Sequence, residues 1–268
     1  VTDDPLIVTR NGKDANIAGL WAPNPAFLVC SGPGLESFPL ERLRERGVAS
    51  LGVNNAAARA PVKAWTFSDP HIKFHHALFL DPAVMTFAPE PKLRRTINVR
   101  LADGFHPTNV RVSDCPNTYG FDRRTMFVPE TFFSTEWAHW GSGKHQPPDV
   151  EGSGMLATML IGVRLLHYLG VRRIYLLGLD HAGRRRRWAK EDRSFERLLP
   201  VFERRGVQLV NCNERSGCRV FGYRPFDEAI EDCKGLVPGG MLDVSDWYDK
   251  AKIGEHHKAN AVCKPKHF

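Results

Sequence analysis

The turn Ser31-Gly32-Pro33-Gly34 follows the apolar run Ala26-Phe27-Leu28-Val29-Cys30 without a break. Without a Cβ, a glycine lets its backbone N–H come close to a phosphate oxygen, and a helix that begins after such a turn aims its positive end at the anion. Gly152-Ser153-Gly154, ahead of another apolar stretch, repeats the pattern. Each turn also fits a purely structural role, because Gly and Pro punctuate any strand-to-helix turn and Ser153 suits a helix N-cap. Position favours a ligand: turns at the carboxyl ends of neighbouring parallel strands share one crevice.

Asn54 and Asn55 close the next apolar run. Their amides either read a base or ribose or form a turn. Asp180 ends a further run and is expected to orient donor or acceptor, or else to cap the loop that follows. His71 and His181, both expected where strands open into the crevice, are candidate general bases, with Asp69 a further candidate. No Asp-x-Asp triplet occurs in the chain. Asp69-Pro70-His71 is the nearest substitute as a divalent-metal site, offering one oxygen and one nitrogen ligand to an ion such as Mn²⁺. Arg184-Arg185-Arg186-Arg187-Trp188 places guanidiniums and an indole shortly after Asp180. These groups bind phosphate and stack on bases, and the alternative is a solvated face. His256, His257, Cys263 and His267 have zinc-ligand types but lack a second thiol pair, which fits a disordered tail.

The elements that position these residues are legible as short apolar runs bounded by turns. Residues 1–25 read as an N-terminal arm and residues 235–268 as a polar C-terminal tail. Between them, residues 26–234 form the expected ligand-binding domain, with 81–146 a loop-rich insertion that would carry acceptor specificity. Strands are expected at 26–30, 48–53, 64–67, 172–178 and 207–210. Helices are expected at 38–46 (capped by Gly47), 155–169, 195–205 and 225–233. A strand, crossover and strand of this length predict an α/β fold, a Rossmann-like (GT-A-like variant), mostly parallel sheet with helices on both faces.

Composition narrows the class. Apolar residues at 42% and charged residues at 25% are those of a folded globular chain. No apolar run is long enough to span a bilayer, and no export signal is visible, so a cytoplasmic protein is expected. The scattered cysteines without C-x-x-C pairs agree with a reducing compartment. The net charge of +7 points to an anionic partner.

Val29-Cys30-Ser31-Gly32-Pro33-Gly34-Leu35, Val53-Asn54-Asn55, and Gly152-Ser153-Gly154 through Ile174-Tyr175-Leu176-Leu177-Gly178-Leu179-Asp180 together resemble the ordered motifs of the family 42 sialyltransferases. They also resemble the related domain of unknown function 115, which includes flagellin glycosyltransferase-like proteins and a pterin pyrophosphokinase. The resemblance spans about residues 26–230. It implies that Ser31, Gly32, Pro33, Gly34, Asn54, Ser153 and Gly154 hold the nucleotide of a CMP- or UDP-linked sugar donor. The chain departs from the pattern in its first turn, where the family has Gly-Asn-Gly-Pro-Ser. It also departs in Asn211 to Arg219, which contains no counterpart of the family's catalytic His.

The expectation is a glycosyltransferase using a nucleotide-sugar. Its acceptor would be anionic: DNA carrying a hydroxylated base, or an acidic glycan. Two other classes remain open. One is an ATP-dependent pyrophosphokinase or phosphoryl transferase, which would need Mg²⁺. The other is a non-catalytic nucleic-acid-binding protein on a transferase fold.

Overall fold

The computed structural model describes residues 7, 9, 12, 14–122, 126–134, 154–155, 157–181 and 185–235. Val1–Leu236 forms one compact unit, and Val237–Phe268 lies outside the described residues. In chain order the elements are β1 (Ala26–Val29), β2 (Ala49–Val53), β3 (Ala64–Thr66), α1 (His76–Leu80), β4 (Met85–Pro89), α2 (Glu90–Leu93), β5 (Thr96–Leu101), β6 (Gly104–Arg111) and β7 (Thr118–Phe121). They continue with β8 (Met126–Phe127), β9 (Gly154–Met155), α3 (Thr158–Tyr168), β10 (Arg173–Leu177), α4 (Arg185–Arg204), β11 (Gln208–Asn211), β12 (Gly222–Tyr223) and α5 (Phe226–Gly235).

Eight strands form a single sheet in the order β12-β11-β10-β1-β2-β3-β4-β7, and every neighbouring pair is parallel. An all-parallel sheet must be covered on both faces, which is why its strands read as continuous apolar runs. Side chains alternate between the faces. Leu28, Leu51 and Leu176 pack against α3 and against Phe195, Leu198 and Phe202 of α4. Phe27, Val29, Tyr175 and Val210 pack on the other face with Leu35, Leu43 and the Phe226, Ala229 and Ile230 side of α5. The expected α/β fold, mostly parallel with helices on both faces, is therefore observed.

The approach of α3 is close. A Cβ on Gly162 would stand 2.5 Å from Leu28 Cδ1, so only glycine lets the helix lie this near β1. Under β3 an aromatic cluster takes over, with Trp65 stacked on Phe67 at 4.7 Å between ring centroids and Phe74 and Phe79 meeting them edge-on.

Several expected elements differ. The stretch 38–46 is not an α-helix but the 3-10 helix Leu40–Arg44. Its apolar residues Leu40 and Leu43 are three apart, which suits three residues per turn. The helix expected at 155–169 begins at Thr158, and Gly154–Met155 is instead a strand antiparallel to β8. Helix α4 starts at Arg185 rather than Phe195. Its first turns lack apolar periodicity but are rich in good helix formers. Within 81–146, β4 and β7 extend the main sheet and β5 and β6 form a separate hairpin.

The segment before β1 is docked: the Trp21 N–H donates to the Leu169 carbonyl at 2.7 Å and the Gly19 N–H to Tyr168 at 2.9 Å. Cys30, Cys115, Cys212, Cys218 and Cys233 are buried and unbridged. Among the described residues no helix is long and apolar enough to cross a membrane.

Candidate functional site

Strand order reverses at β1. From it the chain runs outward through β2, β3, β4 and β7 on one side, then returns to lay β10, β11 and β12 on the other. The elements that follow β1 and β10 pack on opposite faces of the sheet, the arrangement at which open parallel sheets bind ligands. Ser31-Gly32-Pro33-Gly34 leaves β1 there, and Gly178 to His181 leaves β10.

These loops are locked together. The Gly32 N–H donates to the Gly178 carbonyl at 2.9 Å and the Gly34 N–H to Asp180 Oδ2 at 2.6 Å. Asn213 Nδ2, in the loop after β11, donates to Asp180 Oδ1. A Cβ on Gly34 would meet Asn213 Nδ2 and Asp180 Oδ2 at 2.7 Å, side-chain ends that can shift, whereas one on Gly32 would run into the Gly178 carbonyl, so close approach requires glycine at 32 more strictly than at 34. The expected mode of contact needs correction. Pro33 has no N–H, and the amides of Gly32 and Gly34 are committed within the protein, so they do not cradle a phosphate in this geometry. Nor does an α-helix dipole follow, since Pro33–Ser37 is a short 3-10 helix.

Asn54 is a junction. It takes a left-handed φ of 50°, which Asn tolerates better than most residues. Its Oδ1 accepts the Ser68 N–H at 2.9 Å, its Nδ2 donates to Thr158 Oγ1 at 3.4 Å, and its carbonyl accepts Trp65 Nε1 at 2.9 Å. The Ser68 and Thr158 hydroxyls bond each other. The carboxyl ends of β2 and β3 and the start of α3 are thus tied at one point, while Asn55 is exposed.

Charged groups rim this junction. Lys92 donates to the Ser68 carbonyl at 2.5 Å and to the Asp69 carbonyl, and lies 5.1 Å from the Phe67 ring centroid. The Asp69 carboxylate is half-exposed, 3.8 Å from Lys73. Burial, with Lys92 and Arg95 nearby, holds the His71 imidazole below its ordinary pKa, against a hydrogen bond to the Thr96 backbone. His71 is therefore in its basic, neutral form at neutral pH. Arg59 reaches the first turn, its Nη1 donating to the Ser31 carbonyl at 3.1 Å and its Nη2 to Glu36 at 2.6 Å.

His181 is not in the crevice as expected. Its side chain is only 3% exposed and faces away, 3.2 Å from Asp192 of α4 and stacked beside Phe195. Cys218 completes this cluster, its thiol pushed up to about 11 by burial and by Asp192. Asp69 and His71 belong to no comparable group of three metal-ligand types among the described residues.

Gly152, Ser153 and Arg184 lie outside the described residues. Gly154 pairs with Phe127, and the N-cap of α3 is Ala157 rather than Ser153. Arg185, Arg186, Arg187 and Trp188 form the first turn of α4, not a loop.

Sequence reasoning missed Arg59, Lys92, Thr158 and Asn213. Arg59 sits in an Ala-rich stretch with no motif around it, and the others meet the site only through long-range contacts. A cleft of about 560 Å³ lies elsewhere, lined by Pro61 to Lys63 and Ala83 to Met85 where β3 and β4 begin. That is the opposite end of the strands from the groups described above.

No protein-family model matches the chain, and no curated protein matches it. A solved structure similar to it is the sialyltransferase CstII from Campylobacter jejuni in complex with a substrate analogue, cytidine-5'-monophosphate. The alignment has 12% identity and a TM-score of 0.44, and covers 76% of this chain and 86% of that one.

Proposed function

We propose that the chain is a glycosyltransferase that holds a nucleotide-activated sugar, CMP- or UDP-linked, at the carboxyl ends of β10, β1, β2 and β3. The observation that carries this reading is the reversal of strand order at β1, with the glycine-rich turn, Asp180 and Asn213 gathered at that point. Open parallel sheets bind ligands at such places. The motif resemblance to the family 42 sialyltransferases supports the same class.

The residues suggest a division of labour. Each Asp180 oxygen already accepts one hydrogen bond and has capacity for a second, which suits ribose or sugar hydroxyls, whereas a phosphate beside it would meet like charge. Arg59 supplies a guanidinium at the rim for the phosphate. Asp69 or His71 takes the proton from the acceptor hydroxyl as its oxygen bonds to the anomeric carbon. The bond from that carbon to the phosphate oxygen breaks, and Arg59 and Lys92 offset the charge left on the nucleotide. Arg185 to Arg187 stand at the positive end of α4, where the helix dipole gives cations no support, which favours an anionic acceptor such as an acidic glycan or nucleic acid.

The test is a thermal-shift panel of the full chain with CMP, UDP, GDP, ATP and sugar conjugates, with and without Mn²⁺. One pyrimidine sugar nucleotide is expected to raise Tm, and Arg59→Ala to remove most of that shift. Stabilisation by ATP and Mg²⁺ alone would assign phosphoryl transfer instead. No response to any nucleotide would remove the transferase reading.

A further inference from the structure

His181, Asp192 and Cys218 come from separate parts of the chain: the loop after β10, helix α4, and the loop between β11 and β12. Their ligand atoms, one imidazole nitrogen, one carboxylate oxygen and one sulfur, all lie within 4.8 Å of one another. His181 is 3% exposed at its side chain and Cys218 is 4% exposed. Gly217, beside Cys218, packs against His181 so closely that a Cβ there would stand 3.0 Å from the His181 Cβ. The cluster is held by backbone packing as well as by its own side chains.

These residue types also occur in nucleophilic triads, but the order here is wrong for one. Asp192 is 3.2 Å from the imidazole and also hydrogen-bonds the thiol, whereas a triad pairs the nucleophile with the imidazole. Cys218 is also closed off from any substrate. All three ligand atoms instead lie within 4.8 Å of one another, close enough to share one ion.

We infer that His181, Asp192 and Cys218 form a binding site for one zinc-type divalent cation. A nitrogen, a sulfur and a hard oxygen suit a borderline ion, and four-coordinate zinc accepts all three donors. Ligand atoms around such an ion stand about 3.5 Å apart, from bonds of about 2.0–2.3 Å, so small movements of these side chains close the site. The bound ion ties the loop bearing Asp180 to the start of α4, and so fixes the arginine turn relative to the glycine-rich turn. This site is independent of the proposed donor crevice.

Full-length protein, stripped with chelator and kept reduced, is titrated with Co²⁺ alone. The expected result is one equivalent bound, with the visible bands of a tetrahedral ion and a near-ultraviolet thiolate-to-cobalt charge-transfer band, both erased by Zn²⁺. Cys218→Ser should lose the charge-transfer band, and Asp192→Asn should weaken binding by at least about tenfold. Cys263→Ser should leave the spectrum unchanged. Zn²⁺ should raise the Tm of the wild type but not of Cys218→Ser. Absence of the thiolate band in the wild type would overturn the inference whatever the variants do. Its survival in folded Cys218→Ser, or its loss in Cys263→Ser, would overturn it by placing the ion elsewhere.

Discussion

The Asp180 carboxylate accepts the Gly34 N–H at 2.6 Å across the seam where β1 and β10 pair. One side chain thereby closes the turn that the sequence presents as open. A hydrogen bond to a charged acceptor contributes about 1.5–3 kcal/mol, more than most single contacts at a crevice rim. Both partners of this carboxylate, Gly34 N–H and Asn213 Nδ2, are donors. Asp180→Asn is therefore expected to destabilise the fold almost as much as Asp180→Ala, because an amide cannot accept on both sides. Urea denaturation of the two variants checks this, and a neutral Asp180→Asn would show that the pairing contributes little.

The two turn glycines should differ in sensitivity. At Gly32 an added Cβ meets a backbone carbonyl, which cannot rotate away, while at Gly34 it meets the ends of two side chains. Gly32→Ala is expected to cost about 1–3 kcal/mol, and Gly34→Ala less. Thermal denaturation of both variants orders them.

Arg59 separates binding from stability. Its ion pair with Glu36 is at the surface, with Glu36 81% exposed, and such pairs contribute at most about 1 kcal/mol. Arg59→Ala should leave the unliganded Tm nearly unchanged while weakening the nucleotide about tenfold, as loss of a charge-assisted hydrogen bond does. Calorimetric titration with the nucleotide found in the thermal-shift panel reads both quantities.

His167 makes stability depend on acid. Burial, then Arg172, Arg205 and Arg164, push its imidazole down to about 4, and its ring stacks on Phe133 at 4.1 Å. The unfolded imidazole titrates near 6.5, so between those values the unfolded chain binds the proton more readily. The contribution is complete above about pH 6.5 and is lost as pH falls towards 4. His167→Phe keeps the stacking and should make that part of the stability curve shallower in chemical denaturation, with His71 and the carboxylates left to titrate.

How much the sequence reveals depends on how local the cause is. β1, β2 and β10 are legible because a strand covered on both faces must be apolar throughout. The start of α4 is not, since Arg185 to Arg193 has helical propensity but no apolar stripe. Asn54 is recognisable as a strand-end amide, yet its role as a junction is not, because its partners Ser68 and Thr158 are distant in the chain. For His181 a signal existed. His181 follows Asp180 directly, and two neighbouring side chains seldom face the same way, so an Asp180 committed to the turn argues against His181 beside it.

The central place of β1 has a cost in time. Ala26 pairs with Ala49 on one side but with Ile174 on the other, so the strand at the middle of the sheet leaves the ribosome with one edge bare. That edge stays unpaired until β10 has been synthesised, and a bare edge is a template for pairing with other chains. Contacts so far apart in the chain close slowly. The topology that gathers the two turns therefore also makes the newborn chain prone to aggregate, and yield should rise when weak expression keeps neighbouring chains scarce until β10 has paired.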